Sequence, residues 1–311
     1  MSDPGAVLLV FAVVQGAFIA ADALTLSRET RAGARPELRG LGVVALGFLA
    51  GVWLVYFVIQ TALVALTPSV EATVAALAAA FGVTAAPAGA GPAALALLLA
   101  VTFLAVGFWD YLLHRFLLHG RGGWLLHENH HLPTVVANGI PGISVRPFVA
   151  VTTFLTSLGT AATMLGVMIA TGTTGVLADY FRSLPALVVV LTCVGSASHS
   201  AFLRTQPWVH RLLGPLFVTT PQEHVLHHAT GLRGNYGNFT SFWDRVFGTY
   251  LRPAEGGAPV PRLGLPYDQD FLGTLTAGRW KLPPSVRERC RLDAFCHLNP
   301  RFDGASEEPE R

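Results

Sequence analysis

Residues 93–119 read AALALLLAVTFLAVGFWDYLLHRFLLH, and most of the fold follows from this run. From residue 93 to about 113 it is apolar, with Asp110 close to the end. Some 20 apolar residues are what an α-helix needs to cross a bilayer, where no water is present and the backbone must satisfy its own hydrogen bonds. The run then ends in two histidines, His114 and His119. A membrane helix that delivers imidazoles to one bilayer surface is therefore the first expectation.

The rest of the chain agrees. Of 311 residues 52% are hydrophobic and 13% charged, against roughly 25% charged in soluble domains. Mean hydropathy is +0.50. Further apolar runs lie at about 6–26, with Gln15 and Asp22 as polar exceptions, at 41–66, from 148 to about 178, and at 184–202, the weakest. Residues 67–92, rich in Ala, Gly and Pro, read as an exposed connector. The expected fold is all-α, a polytopic bundle of four or five spans with a helical, histidine-rich cap. The division is 1–92 for the first spans and connector, 93–250 for a segment whose catalytic character rests on a resemblance described below, and 251–311 for a polar tail.

Charge gives the orientation. Arg28, Arg31, Arg35 and Arg39 follow the first run; Arg115, Arg121 and Arg146 follow the third; Arg204, Arg211, Arg233 and Arg245 follow the fifth. The 67–92 stretch carries Glu71 and no base. By the positive-inside rule the Arg-bearing segments face the cytosol and the N-terminus lies outside. The start of the chain has no positively charged n-region, so the first run is expected to remain as a span. With 20 Arg and one lysine, Lys281, the composition suggests a bacterial source and hence a cytoplasmic membrane. A net charge of +2 gives no reason to expect a nucleic-acid partner. Three cysteines, Cys193, Cys290 and Cys296, form no CxxC pair and no disulfide framework.

Nine of eleven histidines fall in a pattern on this one side: His114, His119, His127, His130, His131, His199, His224, His227 and His228. HENHH (127–131) and HVLHH (224–228) each place imidazoles at i, i+3 and i+4, one face of a helix. His114 and His119 are about 140° apart on an α-helix and share a site only if the helix ends, bulges or bridges two ions there. Asp110, one turn before His114, is a candidate acceptor for its ring. Nine imidazoles exceed what one ion uses, so two ions are expected; imidazole suits zinc, copper, iron and nickel alike. His210 and His297 are read as ordinary histidines. HENHH also satisfies HExxH through His127, Glu128 and His131, the zinc-protease signature, but that reading leaves His130 and the second cluster unexplained. Trp109, Tyr111, Trp124, Ser144 and Arg146 are candidates for the border of a substrate opening.

HRFLLH, HENHH and HVLHH in this order, followed by NYGNFTSFWDRVFGTY (235–250), resemble the fatty acid hydroxylase/sterol desaturase superfamily of membrane di-iron enzymes. The resemblance covers roughly 93–250. It implies that the nine histidines hold two iron ions, with zinc as a possible substitute in purified protein. It implies O2-dependent hydroxylation of an unactivated C–H bond in a lipid-like substrate, with desaturation on the same scaffold as the alternative. With no electron-transfer domain in sight, a separate donor is expected: a ferredoxin, a cytochrome b5-like protein or a reductase. Some members carry a further histidine four residues before the position of His199; here it is Gly195. Asp244 is open to two roles, acceptor for a ligating imidazole or partner of Arg245 or Arg233.

Overall fold

A computed structural model of the chain describes residues 4–25, 58, 61–84, 91–120, 123, 127, 131, 149–229 and 234–253. The described residues are helical and contain no strand, only an isolated bridge between Val218 and Thr240. In chain order the long helices are α1 (Pro4–Thr25), α2 (Thr61–Ala80), α3 (Pro92–Leu112, continued by a π turn over Leu113–Leu118), α4 (Val149–Thr171) and α5 (Leu177–Ser198). Short helices follow: α6 (Ala201–Arg204), α7 (Pro207–Leu213), α8 (Pro221–Ala229) and α9 (Phe242–Val246). α2 to α5 are each long and apolar enough to cross a membrane. The chain is thus an all-α polytopic bundle.

Two boundaries differ from the sequence reading. The run 41–66 lies largely outside the described residues, and the observed helix extends to Ala80, into the expected connector. The alanines of 72–80 are strong helix formers, and Thr67, Val74 and Ala78 form a buried stripe at helical spacing. α5 begins at Leu177, seven residues before the predicted 184, with Asp179 in its first turn and Pro185 inside it.

The core sits at the bundle end remote from the histidines. There Val74 of α2, Leu98 of α3, Met164 and Met168 of α4, and Leu177, Tyr180 and Phe181 of α5 pack together. Thr102 of α3 meets the Tyr180 hydroxyl at 2.9 Å. Nearer the histidines, Trp109 of α3 donates to the Thr163 hydroxyl of α4 at 3.0 Å. Its indole lies where a side chain at Gly159 would sit, so a bulkier residue there would force α3 and α4 apart. These contacts make α4 antiparallel to α3 and α5 parallel to it. The C-terminal ends of α3 and α5, and that of α1 packed beside α5 and α6, converge on one layer, and the histidines occupy it.

Candidate metal centre

The π turn answers the problem of the five-residue spacing. His119 N–H bonds to His114 C=O at 3.0 Å, five residues back. This widened turn, which inserts one residue into the helix, brings the two rings to 5.0 Å between centroids. Of the three possibilities left open by the sequence, the bulge is the one used.

Eight of the nine candidate histidines are described, and all are buried, none more than 7% exposed. They form two groups. His114, His119, His127, His131 and His227 each offer a ring nitrogen, all within 4.8 Å of one another; His199, His224 and His228 do the same. In the first group Nε2 of His127 lies 2.9 Å from Nε2 of His114 and 3.0 Å from that of His131. In the second, Nε2 of His224 lies 3.0 Å from that of His199 and 3.2 Å from that of His228. The groups touch: the His131 and His228 rings are 4.5 Å apart. His130 lies outside the described residues, as do Glu128 and His297.

The HVLHH box does not converge on one point, which corrects the expectation from its spacing. His224 and His228, four apart on α8, serve the three-imidazole group. His227 turns to the five-imidazole group. At about 100° per residue, His227 is rotated about 60° one way from His224 and His228 about 40° the other. α8 therefore stands between the groups and contributes to both.

Backbone carbonyls orient the rings. His114 Nδ1 pairs with the carbonyl of Tyr236, His227 Nδ1 with that of Gly234 at 2.9 Å, and His199 Nδ1 with that of Gly195 at 2.8 Å. With Nδ1–H donated to a carbonyl, Nε2 is the nitrogen with a lone pair, and it points into the cluster. Gly195 thus orients His199 through its carbonyl. Burial pushes His131 well below the usual histidine range, and His199 down to about 4. Rings held neutral in this way are ready to bind a cation.

Asp110 does not orient His114 directly, contrary to the sequence reading. The Tyr236 carbonyl already takes that ring nitrogen, and Asp110 instead accepts from Asn238 N at 2.9 Å and Asn238 Nδ2 at 3.0 Å. Among the described residues Asp244 likewise meets neither an imidazole nor an arginine. It accepts from Tyr236 N (2.9 Å), Gly237 N (2.8 Å) and the Thr249 hydroxyl (2.7 Å); Arg233 lies outside the described residues. Burial, together with the charge of Glu223, raises Asp244 to about 6. Asn235, in the left-handed region at φ 48°, donates to the carbonyls of Glu223 and Leu251 and accepts from Leu251 N. Residues 234–251 therefore form a brace whose product is two correctly aimed carbonyls.

Sequence reasoning missed Glu223. It is fully buried, accepts from Thr220 N and Thr220 Oγ1 at 2.9 and 3.1 Å, takes the Tyr250 hydroxyl at 2.9 Å and lies 3.5 Å from Arg245. Thr220-Pro-Gln-Glu is a capping box with proline at the first helical position, and that pattern could have flagged it. His210 stays outside both groups, bonded to Thr220 at 3.0 Å. Trp109 and Tyr111, expected at the border of an opening, make packing contacts among the described residues. Trp109 packs under α4, and buried Tyr111 stacks on Phe247 and bonds to Thr249 and Arg115. Trp124, Ser144 and Arg146 lie outside the described residues.

The donor set fits metal ions. It is all-imidazole and buried, three of its rings are oriented from behind by carbonyls, and it is split into two adjoining groups. His127 and His131, the pair of the protease reading, are part of a five-imidazole group, whereas catalytic zinc sites use three protein ligands. Comparison with curated proteins and with solved structures gave no match. Residues 99–249, which contain all eight described cluster histidines, match the family model described as "Fatty acid hydroxylase". This segment, which carries the histidine boxes, belongs to the fatty acid hydroxylase/sterol desaturase superfamily, and with it to the membrane oxidoreductases of the histidine-box type.

Proposed function

We propose that this protein is an O2-dependent di-iron oxygenase that hydroxylates an unactivated C–H bond of a lipid-like substrate. The observation that carries the reading is the partition of buried imidazoles into two adjoining groups inside the matched segment. His114, His119, His127, His131 and His227 would hold one ion. His199, His224 and His228 would hold the other, with His130 completing the nine. Iron is chosen on family membership, since imidazole donors alone fit several metals. Bound there, the two irons would supply the redox chemistry that activates O2 and removes hydrogen from an inert carbon. The protein's own part is to aim the rings, through the carbonyls of Gly195, Gly234 and Tyr236. It also keeps the site dry: the cluster histidines are buried between α3, α5 and α8.

In this reading the histidine layer faces the cytosol of a bacterial cell, the side to which the Arg-bearing segments point. Residues 93–250 are the catalytic domain, 1–92 contribute the first spans and 251–311 form a tail. A separate ferredoxin, cytochrome b5-like protein or reductase delivers electrons.

The test is metal analysis of protein grown with iron and purified without air. Two irons per chain are expected, with loss on His131→Ala or His227→Ala; one tightly held zinc would refute the di-iron reading. Lipid extracts from cells with and without the gene then decide the outcome of the reaction. A product that has gained one oxygen atom supports hydroxylation, and one that has lost two hydrogens makes the protein a desaturase.

A further inference from the structure

α1 lies wholly outside the matched segment, yet its one carboxylate reaches the histidine layer. Asp22 is 2% exposed, and its Oδ1 accepts from the Ser200 hydroxyl at 2.6 Å and from Phe202 N at 2.9 Å. Ser200 directly follows His199 and caps α6, its hydroxyl oxygen accepting from Leu203 N at 3.2 Å. Residues 199–202 form the turn in which the chain leaves α5 and enters α6. Asp22 thus binds that turn at two points. His199 is held from the other side by the Gly195 carbonyl, and its Nε2 meets His224 at 3.0 Å.

A carboxylate in an otherwise apolar helix is costly and is kept where it has a partner and a task. Helix packing alone does not need one: α1 could rest on α5 through apolar contacts. We propose that Asp22 is a positioning residue for the three-imidazole group, fixing the 199–202 turn so that His199 presents Nε2 to the same point as His224 and His228. Asp22 touches no imidazole itself. It acts as a hydrogen-bond acceptor, through Ser200 and Phe202 N. The five-imidazole group receives no ligand from this turn, so the effect is confined to one of the two ions.

The proposal rests on the two-ion reading and is tested on the full-length protein loaded with Co(II) alone, by following release to a chelator. His224→Ala and His119→Ala assign the two release phases to their groups. Asp22→Leu is expected to speed the phase of the three-imidazole group about 10-fold, the lower end of the cost of losing a direct partner of a ligating histidine, because Asp22 acts one residue further out, and to leave the other phase unchanged. Asp22→Asn, whose carbonyl can still accept both hydrogen bonds, is expected to release within a few-fold of wild type. Should Asp22→Leu not fold, Ser200→Ala must still speed the same phase.

Unchanged release in both phases, or equal acceleration of both, would overturn the proposal. So would Asp22→Asn behaving like Asp22→Leu, because the attraction of its charge for Arg204 would then be what matters. If wild-type protein takes up fewer than two ions, the two-ion reading fails. Asp22 is then judged by thermal unfolding of Asp22→Leu, Ser200→Ala and the double variant. Non-additive effects support the anchor; additive effects remove it.

Discussion

Asp244→Asn tests the brace behind the five-imidazole group. In the native protein three donors converge on the carboxylate: Tyr236 N and the Thr249 hydroxyl on Oδ1, and Gly237 N on Oδ2. An amide of the same shape has one oxygen and one NH2. Whichever way it turns, at least one buried N–H then faces another N–H. Losing one charge-assisted hydrogen bond costs about 1.5–3 kcal/mol, and the stranded donor adds about 1–3 kcal/mol. A destabilisation of about 3–5 kcal/mol is expected, measured as unfolding in detergent with metal-free protein. The variant also frees the loop whose Tyr236 carbonyl holds His114, so affinity for the first ion should fall about 10- to 100-fold. Thr249→Val, which takes one hydroxyl from Asp244 and leaves both backbone donors paired, should cost only about 1–2 kcal/mol. Asp244→Asn within about 0.5 kcal/mol of wild type, or a Thr249→Val loss as large as that of Asp244→Asn, would refute the reasoning.

Deleting Phe116, which is 63% exposed, should convert the π turn to an ordinary α turn and leave the two histidines four apart on one face. Metal content should survive this deletion but not the insertion of an alanine at the same point, as metal analysis of both variants would show. Gly234→Ala places a Cβ 2.3 Å from the Thr249 carbonyl at φ 88°. Beyond roughly 1–2 kcal/mol of backbone strain, it should displace the carbonyl that orients His227 and lower metal occupancy. In metal-free protein His199 is depressed from 6.5 to about 4. Its contribution is therefore complete above pH 6.5 and is lost as the pH falls through about 4, an effect on the order of 3 kcal/mol. Asp244, raised from 3.8 to about 6, works in the opposite sense: its contribution is complete below pH 3.8 and is lost as the pH rises through about 6. Unfolding of wild type and Asp244→Ala measured from pH 4 to 8 should give the Asp244 slope as their difference; the acid-side slope that remains is shared by His199 and His131.

Composition and apolar run length sufficed for the bundle because a bilayer demands long, internally bonded helices. The error at 67–92 came from reading alanine as connector composition, when alanine is also the best helix former. The histidines were legible as a set because imidazoles at i, i+3 and i+4 are rare by chance. Their partition was not. Spacing places His224, His227 and His228 on one broad face, and only the position of neighbouring helices decides that His227 leaves the other two. Asp110 is near the right histidine in sequence, but its partner, Asn238, lies 128 residues away; two of the donors to Asp244 are close in sequence but are backbone N–H groups, which no residue type announces. A backbone carbonyl has no letter of its own, so the aiming of His114, His199 and His227 had no signature to read. Asp22 was visible as a polar exception; its partner, 178 residues away, was not.

The site is also assembled across a long stretch of synthesis. His131 and His227 are separated by 96 residues (227 − 131), and the brace that aims His114 comes later still. At about 5–20 residues per second, four imidazoles of the larger group leave the ribosome roughly 5–20 s before the fifth. During that interval the nascent chain offers a partial, unaimed ligand set to whichever divalent ion is most available, and the affinity order favours copper and zinc over ferrous iron. On the di-iron reading, correct loading is therefore a matter of timing as much as of geometry. The last of the described helices to be made, α8 and α9 with the brace beside them, decide when the centre closes.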